Sequence, residues 1–111
     1  MVRAGKRYHE RVLHTFGAPG DGASPYAGLS ADAHGNLYGT TVSGGASGFG
    51  TVYELAHTKR GYVEHVLYSF GGGADGANPG GGVTLDASGD LFGVTSGGGA
   101  SGAGTVYEIT P

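Results

Sequence analysis

The chain has 111 residues, of which 26 are glycine and 4 proline, with no cysteine and a formal net charge of −3. Only 14% of residues are charged and the balance is acidic, which excludes the basic footprint of a nucleic-acid binder. Without cysteine there is neither a disulfide framework nor a thiolate metal site, and no apolar run reaches transmembrane length.

From the N-terminus, "MVRAGKRYHERV" lacks the apolar core of a signal peptide. Its basic residues Arg3, Lys6, Arg7 and Arg11, diluted by Glu10, read as a solvated tail or turn. "ERVLHTF" (10–16) then reads as a first strand, rich in the β-branched and aromatic residues that suit a pleated, half-buried surface. A long glycine-rich connection, "GAPGDGASPYAG", leads to "GLSAD" and, through the tight turn "AHGN", to "NLYGTTV". The loop "SGGASGFG" separates these from "GTVYELA", and "HTKRG" reverses the chain into "YVEHVLYSF". No window holds apolar residues at helical spacing long enough for an amphipathic helix, so the expected class is all-β.

From residue 62 the chain begins again. Tyr8, Glu10, Phe16, Asp21, Pro25, Asp32, Gly35 and Leu37 recur as Tyr62, Glu64, Phe70, Asp75, Pro79, Asp86, Gly89 and Leu91. The TVYE of residues 51–54 recurs at 105–108 at the same offset, without a gap. The chain is therefore two copies of one supersecondary unit, with repeat 1 at 1–61 and repeat 2 at 62–111. Four antiparallel strands per unit is the arithmetic of a β-propeller blade. Residues 10–16, the whole of 28–70, and 82–109 supply in turn a fourth strand, a complete blade, and three strands of another. Two blades cannot close a ring. The expectation is a head-to-tail homo-oligomer, a trimer of six or a tetramer of eight blades, in which each chain lends its first strand to a neighbour's last blade. The alternative is a piece of a longer array whose further repeats supply the missing blades.

Glycine at 35 and 89 fits a hairpin bulge that needs positive φ, and Asp32 and Asp86 sit where a carboxylate accepts from turn N–H groups. The two long connections should emerge on one face, the usual place for binding. Candidate ligand residues there are Asp21, Ser24, Tyr26, Phe49, Asp75 and Asn78. Tyr26 and Phe49 align with Gly80 and Ala103, so the second copy does without them, and exposed aromatics suit sugar rings. "GDGASP" and "ADGANP" lack the acidic spacing of a calcium loop, and the five histidines show no ligand-type spacing. Surface histidines, no metal and no cofactor are expected. No nucleophile elbow, phosphate loop or separate acid pair occurs, and an enzyme is not expected.

"GLSADAHGNLYGTTVSGGASGFGTVYEL" followed by "VLYSFGGGADGANP" resembles the GloVer-type tandem repeat of bacterial exported and surface-anchored proteins. The resemblance implies a propeller-like repeat array and an extracellular or cell-surface setting. The function expected is a structural or interaction module. A lectin-like binder of glycans or small ligands through the glycine-rich loops is the alternative, with no membrane insertion in either case.

Overall fold

The computed structural model describes residues 8–111. Arg3, Lys6 and Arg7, read above as part of a solvated tail, lie outside the described residues. All regular structure among the described residues is β, in nine strands and three antiparallel sheets.

The first unit forms a four-stranded sheet in the order β2 (Ser30–Ala31), β3 (Leu37–Thr41), β5 (Thr51–Thr58), β6 (Gly61–Ser69). The second forms the first three of these again, as β7 (Thr84–Leu85), β8 (Leu91–Thr95) and β9 (Thr105–Ile109). Register repeats with the sequence: Thr41 faces Thr51 as Thr95 faces Thr105, and Gly39 faces Tyr53 as Gly93 faces Tyr107. The threonine pairs are hydrogen-bonded through their hydroxyls at 2.8 and 2.7 Å. Each packs against a glycine, Gly22 or Gly76, whose place no side chain could take without striking both threonines.

The long connections pair with each other. β1 (Gly22–Ala23) lies antiparallel to β4 (Ser43–Gly44), and the second unit repeats the contact as the bridge Ala77↔Gly97. At the opposite ends of the strands, Gly35 and Gly89 have φ of 84° and 83°, as the tight turns require. Asp32 accepts from the N–H groups of His34 and Asn36, and Asp86 from those of Ser88 and Asp90.

The core lies between the two sheets. Val52 of β5 and Phe70, which follows β6, pack with Val83 and with Leu91 of β8, and Tyr38, Leu85, Tyr107 and Ile109 close around them. Phe70 meets Tyr107 edge-on with centroids 5.1 Å apart. Polar cross-links support the stack: Thr40 Oγ1 donates to Gly81 O at 2.9 Å, and Asn78 Nδ2 to Val42 O at 2.9 Å.

Within the single chain residues 10–16 pair with no strand. A strand needs a partner edge, and β5, the edge suited to a fourth strand in the first unit, is already taken by β6. Only the end of the segment repeats its counterpart. Phe16 packs edge-on against Tyr53 at 5.1 Å and 67°, as Phe70 does against Tyr107.

The unit-on-unit contact makes two near-identical strands differ. In β5 Val52 is 0% exposed, whereas its counterpart Val106 in β9 is 81% exposed. The opposite face of the stack behaves likewise, with Val83 4% exposed and its counterpart Leu29 52%. Thr40 is buried while Val94, its equivalent, is exposed. Each open face is thus half of the interface that the two units make with each other.

Candidate functional site

Of the six loop residues singled out by sequence, Asn78 and Phe49 meet through a backbone hydrogen bond. Asn78 is a tie between the units. Its amide reaches Val42 O, its N–H donates to Phe49 O at 2.8 Å, and its carbonyl accepts from Ser96. Ser24 and Asn78 occupy matching positions at φ 60° and 56°, the only described non-glycine residues with positive φ. Phe49 lies over Gly72, while Tyr26 projects into solvent, 79% exposed. The two aromatics therefore differ in surroundings: Phe49, 40% exposed, has part of its ring against a loop junction, whereas Tyr26 is largely free.

Asp75 is held by its own loop. Its Oδ2 accepts from the Tyr68 hydroxyl at 2.6 Å and from Gly71 N at 2.7 Å. The Tyr68 hydrogen bond is the main reason its carboxyl lies below the usual range. Asp21, at the same place in the first unit, has the same backbone partner: Gly17 N donates to Oδ2 at 3.3 Å, and Gly22 N to Oδ1 at 2.7 Å. In place of Tyr68 stands His14, whose Nε2 lies 3.0 Å from Asp21 Oδ2.

A third group joins this pair. Glu64, carried in by β6, places Oε2 3.4 Å from His14 Nε2. That oxygen is shut off from solvent and has no hydrogen-bond partner. Burial, reinforced by the adjacent Asp21 carboxylate, pushes the Glu64 carboxyl up to about 7, with His14 pulling against it. At Asp21 burial pulls upward, but the contacts with Glu64, His14 and the Gly22 N–H outweigh it, and the carboxyl lies below its usual value. Sequence reading treated the histidines as surface groups. The signal it held was a histidine aligned with a tyrosine, seven residues before an aspartate that both copies share.

A groove of about 330 Å³ runs beside the open edge of β9, lined by Tyr68, Phe70, Asp75, Val106, Tyr107 and neighbours. Its counterpart in the first unit is filled by β6 and Glu64. Burial pushes the Tyr107 phenol up to about 12, and its hydroxyl has no partner. On the other side of the molecule, the two tight turns border a cleft of about 520 Å³ that contains Asp32 and Asp86. Asp32 also accepts from the Asn36 amide and the Tyr38 hydroxyl, so the turn engages both of its oxygens.

Two stacked all-β units of one repeat, with loops tied to each other and strand faces open at both ends, define a tandem-repeat protein. A family model for the Gloeobacter/Verrucomicrobia repeat matches residues 3–111, and the chain belongs to that family. No curated protein and no solved structure matches it. Among the described residues, no helix is long and apolar enough to cross a membrane.

Proposed function

We propose that the chain is a structural and interaction module that stacks head to tail with copies of itself into a closed β-propeller, without catalysis of its own. One observation carries the reading: the sequence TVYE is buried in β5, where a fourth strand and a second sheet cover it, and partly bare in β9. An open, apolar strand edge is a hazard for any stable protein, and here a suitable cover is encoded in the chain. Residues 10–16 repeat 64–70, with Val12, Leu13 and Phe16 matching Val66, Leu67 and Phe70, yet they pair with no strand. Supplied by a second copy, they would lie along β9 beside the groove at Tyr68 and Val106. The exposed Leu29 of that copy's first unit would meet Val106 as Val83 meets the Val52 cluster within the chain. Two units per chain give even totals, so three or four copies close a ring of six or eight. In a longer array, further repeats would take the same faces. An extracellular or cell-surface setting belongs to the same reading and rests on the family resemblance.

The absence of native cysteine permits a direct test by cross-linking. A chain carrying Leu29→Cys and Val106→Cys should oxidise to a closed covalent ring of three or four chains on a non-reducing gel. Val52→Cys with Val83→Cys, the same contact within the chain, is the intrachain control. Cross-linking in the control but not between copies would refute head-to-tail stacking.

One observation favours a second reading, the glycan binder: Tyr26 stands free on the loop face. A glycan array on unmodified protein and on Tyr26→Gly decides it, because stacking on that ring requires binding that the substitution abolishes.

A further inference from the structure

We infer that His14, Asp21 and Glu64 form a binding site for a zinc-class divalent transition metal ion, with water completing its coordination. The three side chains arrive from separate segments: the N-terminal stretch, the loop before β1, and β6. Their donor atoms all lie within 4.8 Å of one another. The two edges that meet at His14 Nε2 measure 3.0 Å to Asp21 Oδ2 and 3.4 Å to Glu64 Oε2. Ligands held about 2.0–2.2 Å from a tetrahedral zinc stand about 3.3–3.6 Å apart. The Glu64 edge already fits that spacing, and the Asp21 edge needs to open by only a few tenths of an ångström to admit the ion.

Glu64 supplies an independent observation. Its Oε2 is sealed from water, and its polar neighbours are the His14 ring and the Asp21 carboxyl, so two carboxyl groups crowd one imidazole in a closed space, an arrangement that a cation would relieve. Asp21 is already oriented by the N–H groups of Gly17 and Gly22, the kind of outer support that fixes metal ligands. One imidazole and two carboxylates suit zinc, with an open fourth position, whereas calcium takes six to eight oxygens. The second unit is an internal contrast. Tyr68 stands where His14 does and donates to Asp75, and among the described residues no other cluster of this kind forms. Bound there, the ion would pin the N-terminal segment to β6 and to the loop before β1.

The test is zinc titration of untagged protein at neutral pH, followed by calorimetry and thermal unfolding. One ion per chain and a rise in Tm with zinc concentration are expected, since a ligand that binds only the folded state stabilises it by mass action. His14→Tyr installs the residue that the second unit uses and should fold while losing the rise. Glu64→Gln should weaken binding by more than about 100-fold, beyond the roughly 10–100-fold that the loss of an outer supporting group typically costs. Cobalt(II) bound to the unmodified protein should show the visible bands of a low-coordinate site, which Glu64→Gln alters. If His14→Tyr fails to fold, the Glu64→Gln affinity and the cobalt spectrum decide by the same criteria. No binding by the unmodified chain, or equal binding by the variants through the remaining histidines, would overturn the assignment.

Discussion

At the scale of single residues, the two copies act as each other's control. Gly35 sits at φ 84°, and a side chain there would also press on the His57 ring, 3.3 Å from a built Cβ. Gly35→Val should therefore cost about 1–3 kcal/mol, the usual range for a residue held in a disfavoured backbone region, as read by denaturant unfolding. An unchanged midpoint would mean that the turn relaxes freely. Tyr26→Gly and Phe49→Ala, each changing a residue to its counterpart in the other copy, should differ. The first should stay within about 0.5 kcal/mol, as surface changes do, while the second should cost about 1 kcal/mol or more because Phe49 packs on Gly72. Equal costs would contradict the roles assigned to the two rings. Asp32 provides the pH test. Burial tends to raise its carboxyl, but hydrogen bonds from the Asn36 amide, the Asn36 and His34 N–H groups and the Tyr38 hydroxyl hold it at about 2. The folded value lies below the ordinary one, so this contribution to stability is complete above about pH 4 and is lost as pH falls towards 2. Carbon-detected NMR of the Asp32 carboxyl should titrate near that value, and a midpoint at the ordinary 3.8 would show that the turn does not hold the charge.

At the scale of elements, sequence was informative where the determinants are local. The hairpin turns at 33–36 and 87–90 carry their own chemistry in an aspartate and a glycine, and both form as that chemistry requires. Strand β3 falls within its expected run, whereas β5 and β6 extend past theirs into "HTKRG", which narrows to a turn at Lys59–Arg60. Residues 10–16 have the composition of a strand but no partner edge within the chain, because strand formation depends on a partner edge as well as on propensity. Of the candidate site residues, Asp21 alone entered a cluster, since its partners His14 and Glu64 come together only when the first unit closes. Asn78 was marked for its oxygen chemistry, yet its position near a bend lets the amide bridge two loops. The contrast between β5 and β9 leads to a further prediction. Val52→Ala empties space in a packed core and should cost about 1–3 kcal/mol, whereas Val106→Ala in isolated chains should cost almost nothing. At protein concentrations where chains associate, the Val106→Ala cost should rise towards that of Val52→Ala. A Val106→Ala cost independent of concentration would show that β9 stays bare.

At the scale of the whole molecule, the chain is a stack of two units with an open face at each end. The contact that buries Val52 against Val83 and Leu91 inside the chain is presented again, half at each end, by Val106 and by Leu29. Interfaces of this heterologous kind either run on as filaments or close as rings, and the rotation from unit to unit decides which. The native mass of the unmodified protein, measured at micromolar concentration by mass spectrometry from non-denaturing buffer, tests this most directly. Head-to-tail stacking predicts a single species of three or four chains of 11.0 kDa each. A folded, soluble monomer at that concentration would contradict it.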